Sequence, residues 1–389
     1  MLIAAGLLTL LLWGYLLLAR GQFWRIRPIR PGEYSEADSS PARVVVIIPA
    51  RNEADVIGRA VTSLLQQTGA NTLDVFLVDD GSTDGTAQAA RIGATTSGRP
   101  EMLTVIEGQA LPPGWSGKLW ALQQGVDQGR AAAPDFFLFT DADIVHAPDN
   151  LATLVAIAEK GHYDLTSFMV KLHCESPAEK SLIPAFVFFF FKLYPPNWVA
   201  DPRSVTAGAA GGCILIRPEA LQKAGGIAAI RSEVIDDCAL AARVKATGGK
   251  LWLGASDSTR SIRPYQGFAD IGNMISRTAF NQLQHSVWLL LLALVGMAII
   301  YLLPPALVLF GHSKVPALLG ALSWLMMAIS FLPILRIYRL SPLWGLALPL
   351  IATFYLGATV HSAGQYWAGR GGKWKGRVQD PVRERPRTS

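Results

Sequence analysis

The sequence predicts an α/β fold, a mostly parallel sheet with helices on both faces, joined to transmembrane helices at both ends. Three observations predict it. Short β-branched runs alternate with helical stretches through the middle of the 389-residue chain, acidic and glycine-rich motifs follow those runs directly, and long uncharged apolar runs gather at the two ends. Strands alternating with helices imply a parallel sheet, whose ligands bind where the strands end at their carboxyl edges. An apolar run of about 18 residues is long enough to cross a bilayer as a helix.

Composition agrees. Apolar residues make up 51% of the chain and charged residues 16%, well below the roughly 25% charge of soluble domains. The net charge of +6 is concentrated: Arg20, Arg25, Arg27 and Arg30 carry +4 and residues 364–389 carry +5, which leaves about −3 for the rest. Basic residues beside apolar runs suit anionic lipid headgroups, whereas a nucleic-acid binder spreads them over a folded face. A membrane partner is expected and a nucleic-acid partner is not. Cys174, Cys213 and Cys238 form no C-x-x-C pair, which excludes a disulfide framework and a structural zinc site and suits buried thiols in a reducing compartment.

Taken in order, residues 1–19 are expected to form an N-terminal transmembrane helix, because 2–19 are uncharged and as a helix span about 27 Å. The arginines follow this run instead of preceding it, unlike a cleavable signal peptide, and by the positive-inside rule they place the rest of the chain in the cytoplasm. Residues 20–43 read as a basic, Pro-rich linker. Residues 44–280 form the expected cytoplasmic catalytic domain, with strands at 44–48, 75–78, 103–106 and 136–140. Glycines at 208, 211 and 212 and at 225 and 226 mark tight turns around a further strand at 213–216.

Residues 281–362 hold two or three membrane spans, at 287–310, 315–335 and 342–362, and 363–389 form a basic tail. The number is open because simple alternation would put the strongly basic tail outside. Gly345, Pro349 and Gly357 weaken the last span, and Pro304–Pro305 offers an alternative break in the first. A further apolar run, 182–193, contains Phe186, Phe188, Phe189, Phe190 and Phe191 but is about 12 residues long, too short to cross. It reads either as a core helix or as an interfacial helix.

The motifs that carry chemistry sit at strand ends. Pro49, Ala50, Arg51, Asn52 and Glu53 follow the first strand; a turn with a helix-capping Asn is the alternative to a ligand edge. Asp79 and Asp80 close the next strand and lead into Gly81, Ser82, Thr83, Asp84, Gly85 and Thr86. An Asx-type turn explains Ser82–Asp84, but two adjacent carboxylates at a strand end suit hydrogen bonds from a base N–H or ribose hydroxyls. Asp141 and Asp143 follow the strand 136–140. Spacing of two sends both carboxylates to one side if the strand persists. Such a pair suits Mg²⁺ or Mn²⁺ held against a diphosphate, since Mg²⁺ takes few carboxylates and completes its shell with phosphate and water. Lys118, in a glycine-rich loop that is not a P-loop, suits the diphosphate or is simply a solvated lysine. Asp236 and Asp237 open a helix, where carboxylates are also ordinary dipole partners.

Together, Pro49–Glu53, Asp79–Thr86, Asp141-Ala142-Asp143 and Asp236-Asp237, in this order, resemble the family-2 glycosyltransferase pattern across residues 44–277. The resemblance implies an A-type glycosyltransferase nucleotide-sugar-binding domain and an inverting, metal-dependent enzyme. It implies that Asp79 and Asp80 lie by the uridine of a UDP-sugar, with Pro49, Ala50, Glu53, Lys118 and Asp141 also at the donor. Asp143 would ligate the metal, and Asp237, beside Asp236, would be the general base. Processive members carry Q-x-x-R-W after the base; this chain has Met274, Ile275, Ser276, Arg277 and Thr278, keeping only Arg277 for the diphosphate. The missing Gln and Trp point to transfer of one sugar to a discrete acceptor.

The flanking apolar runs and the tail Gly371-Gly372-Lys373-Trp374-Lys375-Gly376-Arg377 look like the hopanoid-biosynthesis-associated glycosyltransferases and their carotenoid-modifying relatives. That implies a lipid acceptor, a hopanoid or other polyisoprenoid-derived lipid, at a bacterial inner membrane. A polysaccharide or glycan synthase with the same site, or a non-catalytic membrane scaffold, are the alternatives. Transport is disfavoured because the C-terminal spans carry no interrupting charge. The sugar, the metal's identity and any protein partner are not specified by sequence.

Overall fold

The computed structural model describes the chain except residues 31, 35–39, 70, 372, 375–376 and 379–389. Most of the basic tail, including part of its Gly- and Lys-rich motif, lies outside the described residues, as does part of the linker. The chain divides into two compact units: Arg27–His173 with Trp198–Arg263, and Met1–Ile26 with Cys174–Asn197 and Pro264–Ser389. Within the block 44–280, residues 174–197 and those after Arg263 group with the second unit.

The first unit is built on a nine-stranded sheet. In chain order its strands are β1 Pro28–Ile29, β2 Arg43–Ala50, β3 Thr72–Asp79, β4 Leu103–Glu107, β5 Phe136–Thr140, β6 Ile144–His146, β7 Leu165–Lys171, β8 Cys213–Ile216 and β9 Leu251–Ser261. They lie in the order β1-β9-β7-β8-β5-β2-β3-β4, with β6 paired to β9. The sheet is mostly parallel; β8 runs antiparallel to β5 and β7, and β6 antiparallel to β9.

Strand β2 shows why the sequence folds this way. Its β-branched run is buried along its whole length, the signature of a strand covered on both faces. Val44, Val46 and Ile48 join a cluster with Ile57, Val61 and Leu64 of the helix Ile57–Leu65. Val45 and Ile47 face the opposite way, toward the helix Gly117–Gly129. Gly125 and Gly129 let that helix approach: a Cβ on Gly125 would lie 2.4 Å from Ile47 Cγ2, and one on Gly129 2.7 Å from Val45 Cγ1.

Parallel registry sets Ala50 opposite Asp79 and Asp79 opposite Glu107, so the strands of this half end level. Strand β5 stops at Thr140, and the chain turns through Asp141 and Asp143. The strand does not persist beyond its expected end, so the condition for both carboxylates pointing to one side is not met.

The second unit is helical, and two expectations about it change. The N-terminal helix Leu2–Leu18 has 17 residues, about 25 Å at 1.5 Å per residue, short of a hydrocarbon core of about 30 Å. It ends where Gly21 and Gln22 take left-handed backbone, φ 56° and 51°. Spanning length at both ends of the chain is thus not found. Conversely, the run 182–193 lies within the longer helix Pro177–Leu193, opened by a capping box in which Ser176 Oγ accepts from Glu179 N–H and Glu179 accepts from Ser176 N–H. With the following turn it forms a 24-residue stretch, Pro177–Ala200. This stretch, Val287–Phe310 and Lys314–Ile337 are, among the described residues, long and apolar enough to cross a membrane. Sequence reading cut the first short because Glu179, Lys180 and Ser181 interrupt its apolar character.

Pro304–Pro305 do not break Val287–Phe310. A π-helical turn, Ala298–Leu302, precedes them, and the prolines fall in the first turn of the segment Leu303–Phe310, where a missing N–H is tolerated. Leu2–Leu18 packs on Lys314–Ile337, where a Cβ on Gly6 would meet Leu319 Cβ at 2.8 Å and Thr9 Oγ1 lies 3.1 Å from Ser323 Oγ. The helix Phe268–Gln282, which carries Arg277, packs on Leu348–Trp367 through Ser276 Oγ to Ala358 O at 3.1 Å.

Candidate active site

The carboxyl ends of β2, β3 and β5 bring three of the four motifs to one edge of the sheet, and the helix Asp236–Ala246 supplies the fourth. A small cavity there is lined by Pro49, Lys118, Asp141, Gly211, Asp236 and Asp237, over an apolar floor that includes Phe139, Ile214 and Leu240.

Lys118 is its hub. Ser116 caps the helix Gly117–Gly129, its Oγ accepting from Leu119 N–H, and so places Lys118 in the first turn. The ammonium lies 3.1 Å from Asp141 Oδ1 and 3.1 Å from Asp236 Oδ2. It is not a solvated lysine. Burial alone would lower its pKa, but Asp141, Asp236 and Asp237 outweigh that and hold it well above the ordinary value. Asp141 is raised, by burial first and by Asp143 and Asp236, against the pull of Lys118.

Asp237 receives two backbone donors: Gly211 N–H reaches Oδ2 at 2.8 Å and Cys238 N–H reaches Oδ1 at 2.7 Å. Burial, and then the neighbouring Asp236, push its carboxyl up to about 6 in spite of Lys118 and those two donors. A carboxylate fixed in place and poised near neutral pH is suited to take a proton from a hydroxyl.

Asp143 stands apart from this cluster. Its Oδ2 accepts from Ser261 Oγ at 2.6 Å and lies 3.9 Å from Arg263 Nε. Arg263 also pairs with Glu53 and, at 3.8 Å, with Asp55. Sequence reading missed Ser261 and Arg263, since nothing local in the sequence links them to Asp143, 118 residues before Ser261. Among the described residues no group of three or more His, Cys, Asp or Glu forms a metal cage. A single carboxylate at the sheet edge nonetheless fits an ion that draws most of its ligands from phosphate and water.

The first two motifs largely stitch each other. Asn52, with left-handed φ 53°, accepts from Thr83 N–H through Oδ1 and donates its own N–H to Ser82 Oγ. Glu53 N–H donates to Thr86 Oγ1 and Ala54 N–H to Asp84 Oδ2. Asp79 Oδ1 accepts from Ser82 N–H at 2.8 Å, and Asp80 pairs with Arg51 at 3.5 Å. Asn52, Ser82, Asp84 and Thr86 therefore build the edge, on which Pro49, Ala50, Asp79 and Asp80 are presented. Arg277 belongs to the helical unit and is not among the residues gathered here.

Comparison with known proteins finds similarity to glycosyltransferases. Residues 45–225 match the family model of glycosyl transferase family 2. Over 114 residues the chain is 37% identical to 4,4'-diaponeurosporenoate glycosyltransferase of Staphylococcus aureus (strain USA300), a match covering 29% of this chain and 27% of the relative. The chain thus aligns with about a quarter of the length of the curated relatives it matches. Among solved structures, a mannosyltransferase from Pyrobaculum calidifontis in complex with GDP-Man and Mn²⁺ shares the fold, with a TM-score of 0.58 at 20% identity over 93% of this chain and 99% of that one. Residues 45–225 are thus similar to glycosyl transferase family 2, and the chain shares its mostly parallel α/β fold with that mannosyltransferase.

Proposed function

We propose that the protein transfers a single sugar, with inversion, from a nucleotide-sugar of the UDP-sugar type to the hydroxyl of a lipid, a hopanoid or other polyisoprenoid-derived lipid, at the cytoplasmic face of a bacterial inner membrane. The observation that carries the reading is the Asp237 carboxylate, held by two backbone N–H groups beside the Lys118–Asp141–Asp236 cluster at the carboxyl edge of a parallel sheet. The family-2 match supports sugar transfer from a nucleotide donor. The relative named for 4,4'-diaponeurosporenoate and three helices of spanning length support a lipid acceptor and a membrane location.

In this mechanism Asp237 takes the proton of the acceptor hydroxyl as its oxygen attacks the anomeric carbon, and the bond from that carbon to the diphosphate breaks with its electron pair on the leaving oxygen. Lys118 neutralises charge at the site. Asp79 and Asp80 hold the nucleoside, with Pro49, Ala50 and Glu53 shaping its edge. Asp143 would hold Mg²⁺ or Mn²⁺ together with the diphosphate, supplying Lewis-acid neutralisation of the leaving group when bound.

The test is to incubate the purified protein in detergent with a panel of nucleotide-sugars and a bacterial membrane lipid extract, following products by mass spectrometry. A glycosylated lipid with one added sugar supports the reading. A polymer product, or no product with any donor, overturns it. In the same assay Asp237→Asn is expected to lower turnover at least about a hundredfold with nucleotide binding intact.

A further inference from the structure

The loop 208–212, which delivers the Gly211 N–H to Asp237, is clamped from beneath by buried side chains that none of the four motifs includes. Thr140, the last residue of β5, donates its hydroxyl to Gly212 O at 2.8 Å. That hydroxyl has one proton, so toward His146 Nε2, 3.0 Å away, it accepts. The tautomer of His146 is thereby fixed with the proton on Nε2, and its Nδ1 accepts from Asn150 Nδ2 at 3.0 Å. His146 is 3% exposed and neutral, and burial pushes its pKa down to about 3.

On the other side of β8, Ser167 of β7 closes a ring with Ala210. Its Oγ accepts Ala210 N–H at 2.8 Å and donates to Ala210 O at 3.2 Å. The loop is thus gripped at Ala210 and Gly212, one residue either side of Gly211. Gly212 has no room for a side chain, and at Gly211 one would press on the charged groups of the site. A Cβ on Gly212 would lie 2.7 Å from Val170 Cγ2, and one on Gly211 would lie 3.2 Å from Asp237 Oδ2 and 3.5 Å from Lys118 Nζ.

Resting on the reading of Asp237 as the base, we propose that Thr140, Ser167 and His146 are positioning residues that fix the Gly211 peptide and, through it, the direction of the Asp237 carboxylate. Thr140 acts on the loop directly. His146 acts through Thr140, holding its hydroxyl toward Gly212 O. The same β5 residue thus starts the Asp141–Asp143 turn and steadies the base, which couples the donor side of the site to the acceptor side.

The experiment compares Thr140→Val, which keeps the shape and removes the hydroxyl, with Thr140→Ser, which restores it. Hydrogen exchange across 208–213 in the full-length protein is the first readout and needs no substrate. Exchange of the Gly211 amide, which donates to Asp237, is expected to speed at least tenfold in Thr140→Val and to return to the wild-type rate in Thr140→Ser. Unchanged protection overturns the proposal. With the donor and lipid extract of the assay above, kcat is expected to fall at least tenfold in Thr140→Val at a donor KM within twofold, with recovery in Thr140→Ser. Full kcat in Thr140→Val alongside an inactive Asp237→Asn overturns the positioning role alone. Full kcat in Asp237→Asn overturns the base and the role together. Should Thr140→Val fail to fold, Ser167→Ala is expected to give the same pattern, and its failure to do so counts against the proposal.

Discussion

Lys118 Nζ stands 3.1 Å from Asp236 Oδ2, so the cation in the first turn of one helix is tied to the carboxylate that opens another. A lysine in a first turn opposes the helix dipole, whereas an aspartate there complements it. Lys118 therefore serves the carboxylates and not its own helix. It is shared with Asp141, which links the β5 turn to the helix carrying the base.

Lys118→Met is expected to leave Asp141, Asp236 and Asp237 repelling one another without compensation. The pKa values of Asp141 and Asp237 rise, since Lys118 is the cation that lowers them. Turnover at pH 7 should fall at least about tenfold, with the acid limb of the pH–rate profile displaced to higher pH. An unmoved limb in the variant would remove Lys118 from this role.

Wild-type turnover should itself depend on pH with an acid limb near 6. Burial and Asp236 raise Asp237 to about 6, and only the ionised form can accept a proton, so activity rises as pH increases through that value. Stability moves the other way. A carboxyl raised in the folded state adds stability below its unfolded pKa of about 3.9 and loses it as pH rises through about 6. The melting temperature of Asp237→Asn relative to wild type should therefore be more favourable at pH 7.5 than at pH 5, measured by thermal denaturation in detergent. A pH-independent difference would contradict the raised carboxyl.

Much of this architecture was legible because its causes are local. The run Val44–Ile48, with alternate residues packed on opposite faces of β2, announces a doubly covered strand by composition alone. Asp79 and Asp141 fall beside strand ends because apolar runs stop there. The helix Pro177–Leu193 was underestimated because the apolar run begins only at Leu182, whereas the helix begins a turn earlier at a capping box whose Glu179 is buried. The Asp141–Asp143 pair was expected to act as one unit, yet long-range pairing divides it, Asp141 going to Lys118 and Asp143 to Ser261 and Arg263. Ser261 and Arg263 could not be read at all, since a partner brought in by a distant strand leaves no periodicity at either end.

Two adjacent glycines should respond differently to alanine. At Gly212 the new Cβ would press on Val170 Cγ2 at 2.7 Å, an overpacked contact expected to cost about 1 to 3 kcal/mol. At Gly211 the Cβ first meets side-chain atoms of Asp237 and Lys118, at 3.2 and 3.5 Å. Gly211→Ala should therefore melt close to wild type yet lose about tenfold or more in kcat, in line with small displacements of catalytic groups. Melting curves and steady-state rates on the two variants separate the effects, and equal melting temperatures for both would refute the contrast.

Asp143 offers the sharpest test of metal dependence because its neighbourhood differs from that of Asp141. Ser261 Oγ occupies one of its oxygens at 2.6 Å, and the nearest cation, Arg263 Nε, is 3.9 Å away and also serves Glu53 and Asp55. Replacing Asp143 with Asn keeps an acceptor for Ser261 and removes the negative charge. The fold should survive, because the Ser261 and Ile262 contacts can both persist. Binding of Mn²⁺ in the presence of UDP, followed by paramagnetic resonance, should weaken at least about tenfold, on the scale seen when a metal site loses a supporting group. Chelation should abolish wild-type turnover, and added Mg²⁺ or Mn²⁺ should restore it. Asp143→Asn should need a correspondingly higher metal concentration for half-maximal rate, at unchanged nucleotide affinity without metal. Equal Mn²⁺ affinity in the two proteins would move the ion away from Asp143.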